Sequence, residues 1–416
     1  MPVSLLTGIF HFRVRIFSAG LGTILQADRS SDDAGSRDLF QNALGFSIGN
    51  SMWIDRSRGS AVQARKFKTI WFPLAAIAVI VGGLALLFAW AAGLLGDRTT
   101  TRTFLGNTLQ DFEPGYRRAH GKGVCFTGVF HSSGVASSLS KARVFSQQDI
   151  PAIGRFSIGS GDPHAADTST STVSMALLLT ADDQSQWRMK LNNAPYFPTR
   201  DAEGFLAQRS AFEPDPATGQ PDPARVAAFF EKYPEARKAV EYKATAPWPR
   251  SFAGAQYNVI NAFVLLAADG KRQAVRWSMR PHATLPGLSA EERAKAGHDF
   301  LFEDIKQRSA NGSLYWDLVL QLAEAGDPVD DPSQPWPPER QQVVAGTLEV
   351  TSVRDQAEGG CRDINFDPTL VPSGIELSRD PVLAARAGIY SHSYNARLRE
   401  IGFGKATQAI GKKDGE

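Results

Sequence analysis

Between residues 69 and 96 the chain runs for 28 positions without an Asp, Glu, Lys, Arg or His. A bilayer's hydrocarbon core needs about 20 apolar helical residues, so this run can span it with room to tilt. A buried core helix of that length would be exceptional. Arg56, Arg58, Arg65, Lys66 and Lys68 precede the run against a lone Asp55, while Asp97, Arg98 and Arg102 nearly balance after it. Positive charge stays on the cytoplasmic side, which predicts a single pass through the inner (cytoplasmic) membrane. The N-terminus is then inside, and everything from residue 97 onward is on the periplasmic, extracytoplasmic side. The triplet Ala89-Trp90-Ala91 offers an alternative, a cleaved signal peptide. A signal's apolar region is typically about 7–15 residues, so an uncleaved anchor is the preferred reading.

The anchor divides the chain. Residues 1–51 form a lead with no evident packed unit, and Met52, close to the basic flank, is a candidate true start. Residues 52–68 are the cytoplasmic basic flank, 69–96 the transmembrane helix, 97–105 a spacer, 106–406 one folded domain and 407–416 a tail. Charge is nearly balanced, 45 basic against 43 acidic residues, so no nucleic-acid partner is expected. The only cysteines are Cys125 and Cys361, which excludes a disulfide-dense scaffold, a Cys-rich zinc site and a cysteine-ligated iron–sulfur cluster. They are read as two separate thiols. One disulfide between them is the minority alternative, since sequence does not test the geometry.

Within the large domain, residues 124–130, 174–180, 257–267, 273–279 and 343–352 read as strands, and Asp269-Gly270 reads as a hairpin turn. Helical stretches cover 223–232, 290–304 and 381–400. The Pro-rich segment 327–339 is an extended connection. Strands in the first two-thirds and helices late indicate α+β with an antiparallel sheet or barrel. In the last helix Asp380 suits the N-cap and Pro381 the first position. Arg386 and Tyr390 lie one turn apart on one face. Taken alone, that pair reads as a core tyrosine with an arginine at its rim.

Four further segments change that reading: YRRAHGKGVCFTGVF (116–130), GRFSIGS (154–160), WRMKLNNAPYFPTRDAEGF (187–205) and FDPTLVPSGIELSRDPVLAARAGIY (366–390). Any one alone is weak. Taken in order they resemble the catalase superfamily, and the resemblance covers nearly all of residues 105–400. It looks like a minimal, catalase-related haem peroxidase carrying a membrane anchor. The implied fold is α+β, a catalase-like antiparallel β-barrel with surrounding helices, preceded by a single transmembrane helix.

The same resemblance implies haem b and a residue for each role. His120 would be the distal histidine, Asn192 the distal asparagine and Ser157 the hydroxyl that orients the imidazole. Arg117 and Arg155 would bind the propionates, and Phe205 falls where a distal aromatic sits. Arg386 and Tyr390 would form the proximal pair, with Tyr390 the axial ligand of the haem iron, a role tyrosine is able to fill. A phenolate near neutral pH needs its pKa lowered far below about 10, which the iron and a neighbouring guanidinium both favour. A neutral imidazole can act as base and then acid on a bound peroxide, and an asparagine amide can donate to it.

The chain also departs from full catalases. No long N-terminal arm stands before the domain, and only 26 residues follow Tyr390. Ala119 replaces a bulkier valine, Pro198 falls where an aromatic is common, and 168–176 lacks the usual Arg-Gly. A trimmed shell implies a wider route to the haem, hence a peroxidase that uses a small organic electron donor, with weak catalase activity. The partners are therefore a peroxide substrate, that donor and the membrane. Without the arm a homodimer is as admissible as a tetramer. A haem-binding or sensing module, or an enzyme that converts fatty-acid hydroperoxides, stands as the alternative.

Overall fold

The computed structural model describes residues 59–91 and 113–411. The anticipated lead 1–51, the first part of the basic flank and the spacer 97–105 lie outside the described residues. Helix α1, Gly59–Ala91, contains Phe72–Ala91, 20 residues long and apolar enough to cross a membrane. At 1.5 Å per residue that stretch is about 30 Å long, the thickness of a hydrocarbon core. Its large side chains, among them Phe72, Ile80 and Phe88, are exposed.

The second unit is built on antiparallel strands β1 (Gly123–Ser132), β2 (Asp149–Ile158), β3 (Val173–Thr180), β4 (Gln186–Asn192), β5 (Tyr257–Asn258), β6 (Phe263–Leu266), β7 (Arg272–Pro281), β8 (Leu314–Leu322), β9 (Gln342–Asp355) and β10 (Ile375–Leu377). Neighbours run β7-β5-β4-β3-β2-β1-β9-β8, and β8 pairs back onto β7, which closes an eight-stranded barrel. Closure removes the sheet edges that would otherwise stand open. Strands β6 and β10 extend outward from β7. The hairpin at Asp269-Gly270 joins β6 and β7 as expected, with the Asp269 carboxylate accepting from the Lys271 amide at 3.0 Å.

Alternation explains the barrel wall. Phe156 and Ile158 of β2, Met175 and Leu177 of β3, and Trp187, Met189 and Leu191 of β4 fill the interior. Rings pack there at short range: Phe126 on Phe156 at 4.7 Å and Trp187 on Trp277 at 5.0 Å. The intervening residues Arg155, Ser157, Ser174, Ala176, Lys190 and Asn192 point to the outside. That side is covered too, and β3 is therefore buried along both faces.

Helices interleave with the strands instead of following them. α2 (Ala202–Ala211), α3 (Pro223–Lys232) and α4 (Ala236–Thr245) lie between β4 and β5; α5 (Ala290–Lys295) and α6 (Phe300–Asn311) lie between β7 and β8. The single helix read over 290–304 is thus two. Ser289 and Glu292 cap the first, and buried Asp167 accepts from the Leu301 amide at 2.8 Å at the start of the second. The strand read over 257–267 is also interrupted, and the break frees Asn261 for a role described below. Helix α7, Pro381–Gly411, begins as expected with Asp380 accepting from Val382 N at 2.8 Å, and it passes beyond residue 406.

One expectation is overturned outright. Cys125 and Cys361 are joined in a disulfide, their Cα atoms 5.4 Å apart across a separation of 236 residues. β1 pairs with β9, so the loop leaving β9 returns beside Cys125. A side chain at Gly359 would place its Cβ 2.2 Å from that of Cys125, so the close approach requires glycine there.

Candidate active site

A cavity of about 340 Å³ lies between the outer face of β2–β4 and helix α7. His120, Asn192, Arg117, Arg155, Phe205, Arg386 and Tyr390 all line it. Seven of the eight side chains nominated from sequence are thus brought to one place. Ser157, the eighth, is fully buried on the same outward face of β2.

His120 sits just ahead of β1 with φ of 57°, a left-handed backbone that costs a non-glycine residue energy. Its Nδ1 is buried without a hydrogen-bond partner, and so is the Ser157 hydroxyl. The expected bond between them is therefore not made. Burial first, then the cations Lys190 and Arg155, hold the His120 imidazole well below its ordinary value, so it is neutral at neutral pH. Asn192 comes from β4, where register aligns Ser157, Ser174 and Asn192 across three adjacent strands.

Tyr390 approaches from the other wall, on α7. Its hydroxyl accepts from Arg386 Nη2 at 3.0 Å, and Arg386 Nη1 donates to Asn261 Oδ1 at 2.6 Å. The Asn261 amide in turn donates to Asp380 Oδ2 at 2.6 Å, and Asp380 caps α7. Burial pushes the Asp380 carboxyl up, and the Asn261 hydrogen bond partly offsets this. The chain Asp380–Asn261–Arg386 fixes the phenol oxygen against its own helix.

The remaining polar lining is cationic. Arg117 donates through Nη2 to the carbonyls of Cys361, Arg362 and Ile364 at 3.2, 3.1 and 2.9 Å, and the disulfide ties down that loop. Burial, then Arg397, lowers the Arg117 pKa to about 9, so it remains charged. Arg155 donates to Gly121 O at 2.9 Å and to Gln356 Oε1 at 2.6 Å, and its guanidinium fits only because Gly123 has no side chain. Arg118 pairs with Glu400 of α7. No Asp or Glu lines the cavity among the described residues. Buried nitrogens of Arg117 and Arg397 lack partners.

Sequence reasoning missed Asn261, Lys190 and Arg397. Lys190 was accessible by strand alternation, two positions before Asn192. Arg397 was accessible by helical period, since Val382, Arg386, Tyr390, Ser393 and Arg397 form one stripe of α7 facing the cavity.

The sequence pattern of the family described as catalase matches residues 109–404. A catalase-related peroxidase of Synechococcus elongatus is 34% identical over 343 residues, covering 82% of this chain and 99% of that protein. One of Mycolicibacterium paratuberculosis is 33% identical over 286 residues, covering 68% and 90%. A solved bacterial catalase superposes with a TM-score of 0.61 at 22% identity, covering 69% of this chain and 58% of that one. Catalase A from Saccharomyces cerevisiae gives 0.61 at 20%, covering 70% and 62%.

Proposed function

The chain belongs to the catalase family, and on that premise we propose a membrane-anchored haem b peroxidase that reduces hydrogen peroxide or organic peroxides with a small organic electron donor. Membership makes it an oxidoreductase acting on peroxide, and the family's cofactor is haem. One observation carries the finer reading. A single cavity receives a neutral histidine with an unpartnered nitrogen and a tyrosine whose hydroxyl an arginine holds.

The residues present fit the cofactor. A dicarboxylate suits a buried cationic lining that contains no acid, and the free nitrogens of Arg117 and Arg397 need anionic acceptors. Arg117, Arg155 and Arg397 are assigned to the propionates, and Tyr390 to the iron. The haem iron supplies the redox chemistry on the peroxide. His120 takes the proton from one oxygen of the incoming hydroperoxide and returns it to the other, so that water or an alcohol can leave. Asn192 donates to the peroxide without competing for that proton. Ser157, buried on the outward face of β2 with its hydroxyl also unpartnered, is assigned to orient the imidazole. Phe205, against Phe197 with ring centroids 5.1 Å apart, shapes the apolar side. Arg386 orients the Tyr390 oxygen by donating to it.

Peroxidase is preferred over catalase because the chain spans nearly the whole of two relatives named catalase-related peroxidase but about three-fifths of the solved catalases. The apolar helix and basic flank support an anchor with the catalytic unit outside the cytoplasm, and the Cys125–Cys361 disulfide suits an oxidising compartment. The test uses detergent-extracted protein. Its absorption spectrum should be that of a high-spin ferric haem with a tyrosinate ligand, and H2O2 should drive oxidation of a phenolic donor faster than it evolves oxygen. Rapid oxygen evolution with no donor oxidation would overturn the preference.

A further inference from the structure

The chain contains ten asparagines, and only Asn311 is followed by glycine. It is the last residue of α6, and both it and Gly312 are exposed. Inside a helix the N–H four residues on from a carbonyl is tied to it. Gly312 stands just past that shelter: its N–H makes no hydrogen bond among the described residues. Its φ is 154°, and no atom lies within 4 Å of where a Cβ would sit, so the nitrogen is open to approach. Buried asparagines are held differently. Asn193 bonds Val173 N and Ser171 O, and Asn261 bonds Arg386 and Asp380, so each amide is fixed at both ends.

We propose that Asn311 is a site of spontaneous modification, where deamidation converts the side chain to isoaspartate or aspartate and loosens the closure of the barrel. The Gly312 nitrogen attacks Cγ of Asn311. A new N–Cγ bond forms, the Cγ–Nδ2 bond breaks, and the amide proton leaves with ammonia. Water then opens the cyclic imide at either carbonyl, giving aspartate or isoaspartate. The only co-reactant is water, so the chemistry holds whether or not the chain turns over peroxide. Leu301, Phe302 and Ile305 fasten α6 to the core, while Leu314 opens β8, the strand whose pairing with β7 closes the barrel. Isoaspartate lengthens that link by one backbone carbon. Both products put a new carboxylate at the C-terminus of α6, where the helix dipole disfavours it. The triplet Asn311-Gly312-Ser313 also has the spacing of a glycan acceptor, but that route needs an enzyme and a sugar donor.

The test ages the purified, detergent-extracted protein in warm, mildly alkaline buffer made with heavy-oxygen water, followed by peptide mapping. Asn311 should lose ammonia and take up solvent oxygen at least about tenfold faster than any other asparagine, because only glycine leaves the attacking nitrogen so open. Asn311→Gln should abolish the conversion, since its longer side chain would need a larger ring. Gly312→Ala should slow it about tenfold, because an added Cβ shields the nitrogen. Melting temperature should fall on ageing in the wild type and hold steady in Asn311→Gln, which keeps the comparison valid if the alanine variant is strained. Conversion of Asn311 no faster than that of its nine counterparts overturns the proposal. So does a rate unchanged in Gly312→Ala, or a glycan on Asn311. Full conversion without a change in melting temperature overturns the link to barrel closure.

Discussion

The two faces of β2, β3 and β4 are made by alternate residues of the same strands, yet they are opposites. Inward, Phe156, Met175, Leu177, Trp187 and Met189 pack ring on ring with no polar group to satisfy except the Trp187 indole. Outward, Arg155, Lys190 and Asn192 line the cavity, and the buried hydroxyls of Ser157 and Ser174 beside them lack partners. Burying polar groups without partners costs free energy, and on the outer face such groups lie beside a cavity, which marks that face for a ligand. The inner face fixes geometry, and the outer face uses it.

Substitutions on the two faces should therefore fail differently. The largest effect is expected outside: His120→Ala should lower donor oxidation by about 10²–10⁴-fold while leaving fold and haem content intact. Loss of haem along with activity would show that His120 helps build the cavity and would deny it a separate proton-transfer role. Inside, Phe156→Ala should cost about 3–5 kcal/mol of unfolding free energy, measured by denaturant titration, because Phe156 contacts Phe126, Phe252 and Trp316 at once. A loss under about 1 kcal/mol would mean the interior is plastic and cannot be what holds the site still.

The disulfide links β1 to the loop that accepts from Arg117, and so joins the barrel to the cavity wall. Cys125→Ser should cost about 2–4 kcal/mol, as removal of a constraint on a long loop does. It should also weaken haem retention, because the carbonyls of Cys361, Arg362 and Ile364 position Arg117. Haem titration of the reduced wild type checks the second part. Unchanged affinity would confine the disulfide to stability.

How much of this was legible follows the same division. The ordered motifs nominated His120, Asn192, Arg155, Arg386 and Tyr390, and the fold brings them to one cavity because four of the five sit on regular elements and His120 lies just ahead of β1. Asn261 was hidden, since the segment 257–267 looks like one strand and only the folded barrel shows it broken so that an amide can reach Asp380 and Arg386. The Cys125–Cys361 bond was hidden because it depends on the pairing of β1 with β9, a contact between residues more than two hundred positions apart. Arg397 and Lys190 lie on the regular periods of α7 and β4. Both follow from the 3.6- and 2-residue repeats once one residue of the face is known.

The smallest effect concerns pH, and it tests whether the outward histidine is as isolated as the geometry says. Burial, then Lys190, Arg155 and Arg117, depress the His120 pKa in the folded chain, whereas in the unfolded chain it returns to about 6.5. Below that value the unfolded state takes up a proton that the native state refuses, so stability should fall by up to about 1.4 kcal/mol per pH unit from this group. Above it the group contributes nothing further. His131, raised by hydrogen bonds to Asp149 and Glu349, works in the opposite sense, but its side chain is half exposed and its share is small. Melting temperatures of wild type and His120→Gln between pH 5 and 7.5 separate the two: the variant should decline less on the acid side. Donor oxidation should likewise show no break at pH 6.5, because the imidazole remains a free base below it. A break there, with identical melting profiles, would mean that His120 carries a proton in the native protein. It could not then accept one from a peroxide.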